Sequence, residues 1–198
     1  MNQRLEHVNR IILSVGHGGL AGENYDPGAV NPITNEKENI VAKQIVVNVA
    51  SYLISNGLPV LILPDYGLSK TVTYVNSVGD AHTDWAFEIH KDSFGNYNPD
   101  TMKRRMGIYF HPTSQGSKEI AEGFVKIWKD TGAHSTSWTR PDTSSNHGSL
   151  AWIRKTNMLA HLIEAGFIQD SNEESDNDFY SRLIANAICD AMDITFNG

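Results

Sequence analysis

The chain has 198 residues, of which 40% are hydrophobic, and this content is enough for one compact domain with a sizeable core. Its 16 basic and 23 acidic side chains give a formal net charge of −7. This balance argues against a nucleic-acid binder, because such proteins need a basic face to replace phosphate counterions. It argues equally against a domain held on an anionic membrane by charge alone.

In chain order, apolar runs bounded by glycine, proline or asparagine predict strands, and apolar side chains at helical spacing predict helices. The first half is predicted to contain a strand at 11–15, a helix at 38–55, a strand at 60–63, a helix at 69–82 and a strand at 85–89. The second half is predicted to contain a strand at 107–110, a helix at 117–129, a loop at 131–149, strands at 150–153 and 161–164, and a helix at 178–194.

Strands that alternate with helices imply an α/β fold. We therefore expect a single domain over residues 1–198, with a mostly parallel, twisted central sheet of about six strands flanked by helices. The segment 1–7 lacks the apolar core of a secretory signal, and no apolar run approaches the length of a membrane span. We expect a soluble chain without an export signal of its own. Cys189 is the only cysteine, so this fold must be stable without disulfides.

Four side chains that can bind metal or transfer protons lie near one edge of the predicted sheet. His17, His90 and Glu164 each end or directly follow a strand. Glu38 begins the first helix, after the loop that follows the first strand. Open α/β sheets bind ligands at the carboxyl ends of their strands. Two imidazoles and a carboxylate are the ligand set of many catalytic zinc sites, and a further carboxylate can move the proton. The pattern therefore indicates an active site at this edge.

Taken singly, these residues are weaker signals. The glycines around His17 leave space for an imidazole at a strand end and favour a ligand role. A lone histidine after an apolar strand, such as His90, is more often a hydrogen-bonded structural residue. Glu164 lies between apolar segments, where a carboxylate is hard to bury without a partner, and this favours function over structure.

Other polar clusters have simpler interpretations. The segment Asp-Ala-His-Thr-Asp at 80–84 has the spacing of a solvated helix end, and Lys-Arg-Arg at 103–105 that of a solvated turn. His147 is expected at the surface. Trp138 and Arg140 could contact a sugar or a peptide, since aromatic rings bind sugar faces, but a ligand contact is the less favoured role for this pair in a predicted loop.

Four blocks of the sequence surround these candidate residues. The first is Ile-Ile-Leu-Ser-Val-Gly-His-Gly-Gly at 11–19, followed by Asp-Pro-Gly-Ala at 26–29. The others are Lys-Glu at 37–38, Phe-Glu-Ile-His at 87–90, and Asn-Met-Leu-Ala-His-Leu-Ile-Glu-Ala-Gly-Phe-Ile at 157–168. In their residues, order and spacing over nearly the whole chain, these blocks resemble the zinc-dependent N-acetylmuramoyl-L-alanine amidases of the type 3 family.

The resemblance implies a single zinc ion held by His17, Glu38 and His90, with Glu164 as the catalytic glutamate. It also implies the reaction, which is hydrolysis of the amide bond between N-acetylmuramic acid and L-alanine of the stem peptide in peptidoglycan. The expected partner is this glycan-peptide polymer, with no nucleic acid and no membrane.

Two positions complicate the match. Glu36 is a rival for the glutamate ligand, but Glu38 fits better, since the family sets the ligand one helix length before the glycine that ends the helix, here Gly57. The family usually has asparagine two residues after the second histidine, and this chain has Asp92. The difference puts the detail of substrate fit in doubt more than the reaction.

Two other functions remain open. One is a zinc peptidase that cuts within the stem peptide on the same scaffold, and the other is a metal-free, non-catalytic wall-binding module. Peptidoglycan lies outside the cytoplasmic membrane, so we expect either a phage lysin released from the cytoplasm or a processed domain of an exported autolysin.

Overall fold

The computed structural model describes residues 8–19, 25–170 and 173–198. The expectation for residues 1–7 therefore lies outside the described residues. The strands are β1 (Arg10–Val15), β2 (Val60–Ile62), β3 (Asp84–Asp92), β4 (Gly107–Phe110), β5 (Trp138–Pro141) and β6 (Leu159–Phe167). The helices are α1 (Glu38–Ser55), α2 (Leu68–Val78), α3 (Pro99–Met102), α4 (Gln115–Asp130), α5 (Ala151–Lys155) and α6 (Glu174–Ala191), with a short 3₁₀ helix at Asp142–Ser144.

The six strands form one sheet in the order β2-β1-β3-β6-β4-β5. The first four in this order run parallel to one another, β4 is antiparallel to β6, and β5 is parallel to β4. The prediction of a mostly parallel α/β sheet of about six strands flanked by helices is confirmed. In the described part of the chain, no helix is both long and apolar enough to cross a membrane.

The two faces of the sheet carry two separate cores, because successive side chains of a strand point to opposite faces. Trp85 and Phe87 of β3 belong to the larger core, which includes buried side chains of α1, α4 and α6. Ala86 belongs to the smaller core, with buried side chains of α2 and α5. Glu88 and His90 continue on the face of the smaller core toward the carboxyl end of β3.

Residues 150–153 were predicted as a strand, and this prediction is wrong, because they lead into α5. The indole of Trp152 donates to the backbone oxygen of His161 at 3.0 Å, and Arg154 binds Asp142 through two hydrogen bonds of 2.5 and 2.8 Å. These contacts hold α5 against the sheet, where β3 and β4 already occupy both sides of β6. A short apolar run does not by itself distinguish a strand from a buried helical turn.

The predicted loop at 131–149 is also wrong in part, because it contains β5 and the 3₁₀ helix. Gly107 of β4 pairs with Trp138 of β5, and a side chain at position 107 would overlap the Trp138 ring. The edge strand β5 therefore depends on the close approach of the Trp138 ring to Gly107, which could not be predicted from the polar composition of the segment 131–149.

Two element boundaries differ from the prediction. The segment 80–84 is not a solvated helix end, since α2 ends at Val78 and Asp84 begins β3 with a buried carboxylate 2.6 Å from Arg10. The last helix begins at Glu174 rather than at 178, so acidic residues occupy its first turn, where the helix dipole favours them.

Candidate active site

His17 lies in a sharp turn directly after β1. Its φ is 61°, and Gly18 and Gly19 follow with φ of 104° and 100°. A residue with a Cβ rarely adopts this left-handed conformation unless surrounding contacts hold it there. Two backbone hydrogen bonds between Gly18 and Asp26, of 2.8 and 2.9 Å, supply such contacts. They also bring a carboxylate oxygen of Asp26 to 2.8 Å from His17 Nδ1.

Glu38 is the first residue of α1 and is 4% exposed. Its Oε2 accepts a hydrogen bond from the Ala29 amide at 2.9 Å and lies 3.3 Å from His17 Nε2. Its Oε1 accepts from the Lys91 amide at 3.2 Å and lies 3.0 Å from His90 Nδ1. Burial alone would raise the pKa of Glu38, but the hydrogen bonds to the two imidazoles outweigh it and lower the pKa well below its usual range.

His90 lies on β3 with its imidazole between two carboxylates. Nδ1 faces Glu38 at 3.0 Å, and Nε2 faces Glu88 at 3.1 Å. Burial opposes the charged form of the ring, but the two carboxylates raise its pKa well above the ordinary value. His17 behaves in the same way, because Glu38 and Asp26 outweigh its burial and raise its pKa.

The three predicted ligands, His17, Glu38 and His90, are brought together. Each offers one ligand atom, and these atoms all lie within 4.8 Å of one another. Gly28, with φ of 66°, closes one side of the group. A Cβ at position 28 would lie 2.6 Å from both Glu38 Oε2 and His17 Cδ2, so the space depends on glycine. Two imidazole nitrogens and one carboxylate oxygen fit a zinc ion with a further position left for water or substrate. The rival Glu36 instead accepts a hydrogen bond from Thr34.

Glu164, the predicted catalytic glutamate, lies on β6 and is the register partner of His90 on β3. Its side chain is half-buried and faces the same groove as the three ligand residues. Burial raises the pKa of Glu164 to about 8, the charges of Asp92 and Glu38 add to this effect, and His90 opposes it.

A groove of about 620 Å³ contains these residues. Its walls include Asp92, whose pKa is raised mainly by burial, and Tyr109 of β4. His147 is exposed, as its sequence predicts, and also lines the groove. The guanidinium of Arg140 stacks 4.5 Å above the ring of Trp138, which lies 4.8 Å from Tyr109. Contact of that pair with glycan or peptide stays a prediction.

Two carboxylates of the site were not assigned a role from the sequence, namely Asp26 and Glu88. Each contacts the nitrogen of a predicted ligand histidine that faces away from Glu38. The sequence does carry a signal for Glu88, because it lies two residues before His90 on the same strand and therefore shares its face.

Comparison with known proteins places the chain among cell-wall amidases. The family described as N-acetylmuramoyl-L-alanine amidase matches residues 11–193, nearly the whole chain. No curated protein matches the sequence.

Several solved structures have the same fold. The CwlD amidase from Clostridioides difficile, solved with the GerS lipoprotein, gives a TM-score of 0.73 at 19% identity and covers 93% of this chain and 98% of its own. The catalytic domain of CwlV, an N-acetylmuramoyl-L-alanine amidase from Bacillus (Paenibacillus) polymyxa var. colistinus, gives 0.71 at 21% identity and covers 95% and 100%. An N-acetylmuramoyl-L-alanine amidase from Clostridium difficile 630 gives 0.71 at 20% identity and covers 94% and 98%. At these identities the structural likeness establishes the fold, and the family match establishes the family.

Proposed function

The chain belongs to the N-acetylmuramoyl-L-alanine amidase family, and we propose that it cleaves its amide bond with a zinc ion held by His17, Glu38 and His90. Family membership makes it a peptidoglycan hydrolase that acts between the muramoyl sugar and L-alanine of the stem peptide. The proposal for the site rests on one observation, which is the convergence of the three ligand atoms within 4.8 Å.

The donor set favours zinc over magnesium and calcium. Imidazole nitrogen suits zinc, whereas magnesium and calcium prefer ligands that are all oxygen. Glu38 supplies a carboxylate that stays ionised although it is buried, since its pKa is held low by His17 and His90. A bound zinc ion would act as a Lewis acid that activates water and polarises the scissile carbonyl.

Glu164 is proposed as the residue that moves the proton. It lies beside His90 on the neighbouring strand but does not belong to the group of converging ligand atoms. Burial raises the pKa of Glu164 to about 8, which is close to neutral pH, so the carboxyl can both accept and donate a proton there. Such a group can take a proton from the attacking water and return it to the nitrogen of L-alanine as that nitrogen leaves.

The groove beside these residues is proposed to hold the substrate. Its volume of about 620 Å³ is in the range of sites for small organic ligands. This space suits a muramoyl residue with the first amino acids of its stem peptide, with the scissile amide next to Glu164.

Digestion of purified peptidoglycan with and without a chelator tests the proposal. The expected products carry a new amino terminus on L-alanine and disappear when the metal is removed. A new amino terminus within the stem peptide would instead support the peptidase alternative. Protein that binds no zinc and releases no product would support the wall-binding alternative.

A pair of matched variants tests the choice of carboxylate ligand. Glu38→Gln is expected to lose zinc, because it removes the charged oxygen between the two imidazoles. Glu36→Gln changes a neighbouring carboxylate that bonds Thr34 and is expected to keep both zinc and turnover. The reverse result would reassign the ligand to Glu36.

We propose further that the enzyme acts on the wall outside the cytoplasmic membrane. It reaches the wall either as a lysin released from the cytoplasm or as a processed domain of an exported protein. Fractionation of expressing cells before and after membrane permeabilisation separates these two routes.

A further inference from the structure

Glu88 is a charged side chain whose place in the molecule needs a functional explanation. It is 4% exposed and lies on β3 between the smaller apolar core and the site. Its register partners are Ser14 on β1 and Leu162 on β6, and neither can neutralise a carboxylate. Burying a carboxylate costs free energy unless a partner pairs with it through a hydrogen bond or an opposite charge. The partner of Glu88 is the imidazole of His90, with Nε2 at 3.1 Å.

The imidazole of His90 lies between two carboxylates that have different tasks. On the Nδ1 side is Glu38, which shares the proposed zinc position with His17. On the Nε2 side is Glu88, which does not belong to the converging ligand group. A neutral imidazole carries one proton. If that proton is on Nε2 and is donated to Glu88, the lone pair of Nδ1 is free to bind metal.

The backbone at Gly16 holds the ring in this orientation. A Cβ at position 16 would lie 2.4 to 2.5 Å from Cε1, Nδ1 and Nε2 of His90, so the face of the ring packs directly against this glycine. The ring therefore has little freedom to turn away from Glu88. Packing against the ring face and a carboxylate facing each nitrogen hold the ring in this orientation.

We propose that Glu88 is a positioning residue that fixes the tautomer and orientation of His90 and strengthens zinc binding, an inference that rests on the proposed zinc site. A carboxylate on the second nitrogen of a ligand histidine makes the other nitrogen a better donor, and its loss typically weakens metal binding about 10- to 100-fold.

The contact between Asp26 and His17 provides a comparison within the same site. Asp26 likewise contacts the nitrogen of His17 that faces away from Glu38, Nδ1, at 2.8 Å, but its side chain is 63% exposed. The Glu88 side chain is 5% exposed. Because water screens an exposed charge far more than a buried one, Asp26 should contribute less to zinc affinity than Glu88.

Zinc affinity, measured on the full chain by competition with a chromophoric chelator at fixed pH, tests this inference. Glu88→Gln keeps an acceptor for the ring proton but removes the charge, and it should lower affinity about 10-fold. Glu88→Ala removes both and should lower affinity about 100-fold. Asp26→Asn should have a smaller effect than Glu88→Gln.

Asp84→Asn is the matched control, since Asp84 is a buried carboxylate at the other end of β3 and pairs with Arg10. It should lower the melting temperature and leave zinc affinity unchanged. A second measurement follows the ring proton of His90 by NMR in the zinc-loaded protein. This proton should exchange slowly in the wild type and rapidly in Glu88→Ala.

A folded Glu88→Ala variant that binds zinc within twofold of the wild type would overturn the proposal. If Glu88→Ala does not fold, Glu88→Gln decides the question, and wild-type affinity in that variant overturns it. A wild-type chain that binds no zinc would instead refute the zinc site itself, so the two failures are distinguishable.

Discussion

The substitution Gly16→Ala adds one methyl group next to the imidazole of His90. The backbone of Gly16 is not in the left-handed region, so alanine meets no conformational penalty there. The new Cβ would lie 2.5 Å from His90 Nε2, with Nδ1 and Cε1 closer still. Contacts under 3.0 Å are essentially never made by real Cβ atoms, and the ring therefore has to move.

The size of that movement follows from the geometry. Ordinary Cβ contacts begin at 3.4 Å, so Nε2 must withdraw by about 0.9 Å, the difference between 3.4 and 2.5 Å. The distance between a metal ion and a ligand atom can differ from its usual value by only about 0.2 Å. A misplacement of about 1 Å near reacting atoms costs about 100-fold, which corresponds to about 2.7 kcal/mol. We expect Gly16→Ala to lower both zinc affinity and turnover by at least this factor.

The assay compares Gly16→Ala with Gly123→Ala. A Cβ at Gly123, on α4, would meet nothing within 4 Å, so this control adds the same methyl group without displacing anything. Melting curves of the metal-free proteins check that both variants are folded. Zinc affinity is then measured by chelator competition, and turnover is measured on purified peptidoglycan. Wild-type zinc affinity in Gly16→Ala would show that the His90 ring does not pack against this glycine as described.

Three further outcomes are expected. Glu164→Gln should keep its zinc and lose about 10²- to 10⁴-fold in turnover, and near-normal turnover with zinc bound would remove Glu164 from its role. Chelation should lower the melting temperature, since zinc at 100 times its Kd stabilises by about 2.7 kcal/mol, and an unchanged melting curve would argue against a folded-state zinc site. Burial lowers the pKa of His161 to about 4, and the Trp85 indole donates to its Nδ1 at 3.0 Å. Because the folded-state pKa is below the unfolded value of about 6.5, stability present above that pH is lost as the pH falls toward 4. By pH 5 the loss should be about 2 kcal/mol. In urea unfolding of the chelated protein, His161→Gln should lack this loss, and equal pH dependence in the two proteins would contradict the assignment.

The arrangement of the four site residues was predictable because each one is tied to a local feature. His17 follows an apolar run directly, and His90 and Glu164 lie on adjacent parallel strands, which bring their carboxyl ends to one edge of a sheet. Glu38 begins a helix whose apolar spacing is clear from the sequence. The φ of 61° at His17 is not among these features, because backbone hydrogen bonds in the following loop hold it.

The elements at the far edge of the sheet were not predictable in the same way. Residues 150–153 have too few positions to show a period of either 2 or 3.6, so only packing against β6 decides between strand and helix. Residues 138–141 form an edge strand because Gly107 lets the Trp138 ring lie close over β4. The deciding contacts in both cases join segments that are far apart in sequence.

Glu88 and Asp26, the two carboxylates that contact the ligand histidines on the side away from Glu38, also differ in how far the sequence predicts them. Once His90 is assigned to the open face of a strand, the period of 2 puts Glu88 on that face beside it, so its contact could be inferred from the sequence. The contact between Asp26 and His17 depends on a loop in which His17 has φ of 61°, and a loop has no periodicity from which to predict direction. A carboxylate two residues before a ligand histidine in a strand is therefore a usable sequence signal for a positioning residue. A carboxylate in a loop, whatever its spacing from the histidine, can be identified as a positioning residue only from the structure.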